Sequence, residues 1–301
     1  MTVSTKQTFN NLNKFCIGAA QFGMDYGIMN QTGRLQSSDI KSILDHATEN
    51  GIDTIDTAIS YGNSEINLGN YGLSNFKVVT KLPPLNNHIA NVQNWIFGNV
   101  KKSIQNLRQS SLYALLIHNC NDLYGNHRNE ILDSLNYLKD KKIVKNVGVS
   151  VYAPEDVTKI LEVMVPDIIQ IPVNVFDRRF EESGCLKLLS ELKTKIYARS
   201  IFLQGVALQD FDKLPEYFYQ WKDHFMNWKN FLNHAEIDPV TGCLQYSMSI
   251  KEIDKIIIGL DNQKQFIEII SAAKNCIYDI KIPSFGDSDT NLINPTKWKA
   301  S

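Results

Sequence analysis

The chain has 301 residues, 43% hydrophobic and 21% charged, with a formal net charge of −1. That length suits one large domain of the size α/β barrels use, and the near-zero charge excludes a global field that would gather nucleic acid or an anionic membrane. Five scattered cysteines (Cys16, Cys120, Cys185, Cys243, Cys276) form no C-x-x-C pair, which argues against a zinc site or disulfide framework and leads us to expect a reducing, cytoplasmic setting.

Residues 1–14 are polar and read as a loose arm or short plug, with no apolar signal segment and no membrane span anywhere in the sequence. Phe15 to Gly18 is a short apolar strand running into the small-residue turn Ala19 to Gly23. Ser37 or Ser38 is expected to cap a helix whose buried face is Ile40, Ile43, Leu44 and Ala47, with Gly51 after its end. Ile52 to Asp56 is the second strand, and a polar turn carrying Tyr61 follows. The same alternation then repeats. Strands are expected at 77–81, 113–118, 146–150, 167–171, 195–199 and 253–259. Helices are expected around Trp95 to Leu107, Ile131 to Leu138, from Pro154, across Cys185 to Leu192, and through Phe266 and Ile270.

Eight apolar β-branched segments separated mostly by helices imply a parallel sheet covered by helices, closed as a (β/α)8 TIM barrel in the α/β class. One domain over 1–301 is expected, with its core at about 15–273. The aromatic-rich stretch 200–252 adds helical packing before the eighth strand. Residues 274–301 read as a tail laid over the surface or partly disordered. No G-x-G-x-x-G follows a strand and no P-loop is present, so neither a Rossmann fold nor a P-loop enzyme is supported.

Active sites of such barrels lie at the C-terminal ends of the strands. Asp56 ends the second strand with Tyr61 just beyond, Lys81 ends the third, and His118 ends the fourth. A Tyr is a poor proton donor or acceptor near neutrality, because its ordinary pKa is about 10. A neighbouring Lys is expected to favour the phenolate, Asp56 to keep the Lys charged, and a neutral His to orient a substrate oxygen. His127, His224 and His234 have no ligand partners at metal spacing, so no metal is expected.

With those residues in place, the sequence resembles the aldo/keto reductase family. The similarity rests on the first turn Gly18–Gly23, Asp56-Thr57-Ala58-Ile59-Ser60-Tyr61-Gly62, Val79-Thr80-Lys81, Leu115-Leu116-Ile117-His118 and Gly148-Val149-Ser150. It implies an oxidoreductase using NADP or NAD, NADPH being the family default, with Tyr61 as proton donor to a small polar carbonyl. The segment 199–205 resembles bacterial members associated with surface sugars, which points to a carbohydrate. Gly18, Ala19, Ser150, Gln170, Arg199, Ser200, Gly259, Asp261, Lys264 and Gln265 fall at cofactor positions. Val151, Arg199, Gln265 and Ile269 depart from the family's usual Asn, aromatic ring, Arg and Asn. Arg178 and Arg179, after the sixth strand, are expected to contact an anionic substrate or a cofactor phosphate, the alternative being an ion pair with Asp177. Two other readings stay open: a dinucleotide-sensing or partner-binding reductase-like barrel, and a non-redox lyase or epimerase using Lys81 as a Schiff base. Oligomeric state is not legible.

Overall fold

The computed structural model describes residues 12–86, 88–275, 280–286 and 289–298. Eight parallel strands close into a barrel in sequence order. They are β1 (Phe15–Gly18), β2 (Thr54–Asp56), β3 (Lys77–Leu82), β4 (Leu112–Ile117), β5 (Val144–Ser150), β6 (Ile168–Pro172), β7 (Lys195–Arg199) and β8 (Ile253–Gly259), with β1 and β8 closing the ring through the pairs Phe15–Ile256 to Gly18–Gly259. Helices α1 (Ser37–Glu49), α2 (Ser64–Tyr71), α3 (Val92–Leu107), α4 (Arg128–Asp140), α5 (Pro154–Leu161), α6 (Arg179–Glu182), α7 (Cys185–Glu191), α8 (Lys222–Ala235), α9 (Pro239–Ser249), α10 (Gln263–Asn275) and α11 (Thr290–Ile293) accompany them.

Side chains alternate across a strand, so each strand feeds two cores. Cys16, Val79, Ala114, Leu116, Ile168, Tyr197 and Ile257 fill the barrel interior. Their neighbours, such as Ile17, Val78, Leu115, Ile169, Ile196 and Ile258, pack outward with the helices. That is why the strands read as continuous apolar runs without polar alternation. The β5–β6 seam is tight: a Cβ on Gly148 would stand 1.9 Å from the Ile168 carbonyl oxygen.

Two local expectations are corrected. Neither Ser37 nor Ser38 caps α1; the cap residue is Gln36 in an extended conformation, and Ser37 is the first helical residue. The polar stretch after Tyr61 contains a helix, α2, which the sequence did not signal. Its inner face carries Ser64, Glu65 and Gly69 beside a single buried leucine, Leu68, in place of an apolar stripe. Glu65 accepts from the hydroxyls of Thr80 (2.7 Å) and Ser103 (2.6 Å), and a Cβ on Gly69 would meet the Asn106 carbonyl at 2.0 Å. Residues 1–11 lie outside the described residues, while Leu12–Lys14 form a short 3-10 turn with Leu12 buried. The described part of the tail packs firmly, with Ile282, Phe285, Leu292 and Ile293 buried. It meets the aromatic cluster after β7, where Phe218 contacts Trp298 and Trp228 contacts Phe285.

Candidate active site

The barrel's period-two alternation builds the site. Continued to the strand ends, the inward alternation reaches Gly18, Asp56, Lys81, His118 (one residue past β4), Ser150, Gln170, Arg199 and Gly259. All eight line one cavity of about 540 Å³ at the C-terminal rim. Ala19, Tyr61, Ser200, Asp261 and Gln265 line it as well. A second cavity of about 500 Å³ lies between α1 and α2; its polar lining includes the Lys41–Asp45 pair and holds none of these rim residues.

Tyr61 is placed by a clasp between two loops. Gly62 has φ +55°, and a Cβ there would meet the Gly23 carbonyl oxygen at 2.3 Å. A Cβ on Gly23 would in turn stand 2.0 Å from the Tyr61 carbonyl oxygen. Ser64 donates to the Ala19 carbonyl at 2.7 Å and Asn67 to the Phe22 carbonyl at 2.7 Å, sewing α2 to the turn after β1.

Lys81 is 1% exposed and donates to Asp56 Oδ2 at 2.7 Å and to the Thr57 carbonyl at 2.8 Å. Its Nζ lies 5.2 Å from the centre of the Tyr61 ring. Gln170 Nε2 donates to the other Asp56 oxygen. Burial, then the Asp56 charge, pushes the Tyr61 phenol well above its ordinary value, with Arg199 pulling the other way. Lys81 is paired with Asp56, and Tyr61 rests protonated with the lysine beside it. Burial, then the charges of Lys81 and Arg199, lowers the His118 imidazole to about 3, so it is neutral at pH 7. Its Nδ1 faces the Ser60 hydroxyl at 3.4 Å, and its ring meets Tyr61 edge-on with centroids 5.8 Å apart.

The remaining positions divide. Among the described residues the buried Gln170 Oε1 has no hydrogen-bond partner, and the Ser150 hydroxyl belongs to the same wall. Val151 is fully buried in the outer core. Arg199 lays its guanidinium 4.3 Å from the centre of the Tyr152 ring and donates to the Val151 carbonyl at 3.0 Å. At the mouth after β8, Asp261 accepts from Gln21 and Gln265, both at 3.2 Å, and Glu268 and Ile269 add to the lining.

Lys264 is not among the cavity's lining residues; its side chain is 87% exposed and faces Glu268 at 3.7 Å. Arg178 and Arg179 are outside it too, contrary to the substrate-contact expectation. Arg178 donates to the tail carbonyls of Ile282 and Pro283 and stacks on Tyr246, while Arg179 pairs with Asp177 at 2.8 Å. Sequence reasoning missed Tyr26, Tyr152 and Gln204, which line the cavity from loops. No strand-end signal marks such residues, because loop paths decide them.

The sequence model of the Aldo/keto reductase family matches residues 14–282. No curated protein matches the sequence. Among solved structures, the aldo-keto reductase AKR11C1 from Bacillus halodurans superposes with a TM-score of 0.70 at 17% identity, covering 96% of this chain and 93% of that one. PA4992 of Pseudomonas aeruginosa, classed with the aldo-keto reductases, superposes with a TM-score of 0.65 at 19% identity, covering 87% of this chain and 90% of that one.

Proposed function

The chain belongs to the aldo/keto reductase family, and on that premise we propose that it reduces a small polar carbonyl compound, with Tyr61 as proton donor. The observation that carries this reading is the convergence of a protonated Tyr61, a neutral His118 and a buried Asp56–Lys81 pair on one cavity.

The residues fit a nicotinamide dinucleotide. The orphaned Gln170 Oε1 is a ready acceptor for a carboxamide N–H, and Ser150 offers a hydroxyl beside it. A bound dihydronicotinamide supplies a hydride, two electrons with one proton, to the carbonyl carbon. This chain's residues handle the oxygen. With Ser60 donating to Nδ1, the His118 Nε2–H points its hydrogen bond at the carbonyl oxygen and draws electron density toward it. Tyr61 then gives that oxygen its proton, completing the alcohol. The phenolate left behind lies beside the Lys81 ammonium, which Asp56 and the Thr57 carbonyl hold in place, and is reprotonated from solvent. The same fixation weighs against the Schiff-base reading, since a nucleophilic Lys81 would have to abandon both acceptors in a buried site.

Of the two dinucleotides, the cavity mouth favours NADH. Asp261 and Glu268 line it while Lys264 turns outward, so a ribose 2′-phosphate meets carboxylates and no lysine there. For the substrate, Tyr26, Tyr152 and Gln204 offer aromatic faces beside amide and hydroxyl groups, a lining that suits a carbohydrate aldehyde or ketone. Among the described residues no helix is long and apolar enough to cross a membrane, and the buried thiols of Cys16, Cys120, Cys185 and Cys243 suit a reducing cytoplasm.

Titration of the protein with NADH and with NADPH, followed by dihydronicotinamide fluorescence, is the first test. Saturable binding is expected, tighter for NADH. No binding of either up to millimolar concentration overturns the reading. Turnover with a panel of aldoses and simple aldehydes then separates an enzyme from a silent dinucleotide-binding barrel.

A further inference from the structure

We infer that Arg199 makes the cavity select the reduced over the oxidised dinucleotide, and so biases the protein toward carbonyl reduction. The inference rests on the dinucleotide reading above and adds a direction to it.

At the barrel rim Asp56 and Lys81 cancel as an ion pair. His118 is neutral and Tyr61 is protonated. Ser150 and Gln170 carry no charge. Arg199 is the remaining charged side chain among the inward strand ends, and among the described residues no carboxylate lies within ion-pair distance of it. Its three fixed contacts are neutral: the Tyr152 ring, the Val151 carbonyl and the Ser200 hydroxyl at 3.3 Å. They hold the guanidinium in place without neutralising it. It lines the same cavity as Tyr61 and His118, and its charge pulls both the phenol and the imidazole downward. Asp261 and Glu268 lie beyond the end of β8, where Asp261 accepts from Gln21 and Gln265.

The ring that exchanges hydride must reach the carbon whose oxygen Tyr61 and His118 hold, so it occupies the chamber that Arg199 lines. The two redox forms of the cofactor differ there by one positive charge on the ring. A half-buried cation in a site of lowered dielectric opposes that charge and leaves the neutral, reduced ring unopposed. Reduction moves a hydride from the dihydronicotinamide to the carbonyl carbon and one proton from Tyr61 to the oxygen, and it releases one oxidised nicotinamide. The same cation therefore favours loading of the reduced form and departure of the oxidised one. It also favours the transient Tyr61 phenolate.

The test compares dissociation constants of NADH and NAD+ by fluorescence titration and calorimetry, for the wild-type chain, Arg199→Gln and Arg199→Lys. We expect wild type to bind NADH at least about tenfold tighter than NAD+, as a single charge–charge contact at intermediate dielectric allows. Arg199→Gln brings the ratio toward one, and Arg199→Lys, which keeps the charge but loses the stack on Tyr152, retains most of it. Equal affinities in wild type overturn the inference, as does a ratio unchanged in Arg199→Gln. Binding of neither form removes the dinucleotide reading itself and the inference with it. Binding of both forms with equal strength removes the inference alone.

Discussion

Replacing Lys81 with methionine tests the frame on which the site is built. Lys81 is 1% exposed and Asp56 5% exposed, so neither charge has water to fall back on. Methionine keeps much of the apolar stem, which limits any packing loss. What remains is Asp56 with the Gln170 amide but no cation, and a Thr57 carbonyl deprived of its donor. Removing one member of a buried ion pair costs about 3–5 kcal/mol, because the partner's charge stays buried without compensation. In a chain of 301 residues each kcal/mol lowers the melting temperature by about 1.5–2 °C, so a fall of about 5–10 °C is expected. Thermal unfolding followed by circular dichroism at pH 7 measures it. Adding Asp56→Asn to Lys81→Met removes the stranded charge and should recover a substantial part of the loss, a coupling that a double-mutant cycle isolates. A Lys81→Met variant that melts within about 2 °C of wild type would refute the buried-pair argument. A double variant that melts no higher than Lys81→Met would do the same.

Three other outcomes follow from the geometry. The His118 imidazole, lowered to about 3, should stay neutral in an NMR titration from pH 8 to pH 4. Because the unfolded chain binds that proton at about pH 6.5, His118 leaves stability intact above that pH and subtracts from it progressively down to about pH 3; a ring that titrates near 6.5 in the folded protein contradicts this. Gly23→Ala should force the Tyr61 turn aside, since its new Cβ falls 2.0 Å from a backbone oxygen; a fully active and equally stable variant would show that the clasp does not position Tyr61. Asp261→Ser should raise affinity for NADPH relative to NADH by about tenfold, or roughly 1.4 kcal/mol, and an unchanged ratio in paired titrations would show that Asp261 does not face the ribose.

The barrel was legible because its strands are short, apolar and β-branched, and six of the eight are followed by an α-helix within about ten residues. The rim residues were legible for a related reason: Asp56, Lys81 and His118 are polar groups at the ends of apolar runs, where solvent or chemistry must be waiting. Helix α2 was not, because its buried face holds Glu65 and Gly69, satisfied by hydroxyls and a close helix contact that only the tertiary fold supplies. Arg178 and Arg179 look alike in sequence to rim residues that face the cavity. Their direction is set by Asp177 and by tail carbonyls more than 100 residues away. Lys264 needed the same kind of information, since the first turn of α10 turns it to Glu268 and solvent.

The central claim, carbonyl reduction with Tyr61 as proton donor, is tested most directly by Tyr61→Phe assayed under saturating NADH with the best aldehyde or ketone of the panel. Phenylalanine keeps the ring and removes the hydroxyl that carries the proton. The account predicts NADH binding within a few-fold of wild type and turnover lower by about 10²–10⁴-fold, the usual worth of a positioned general acid. Turnover equal to wild type, with binding intact, would contradict it.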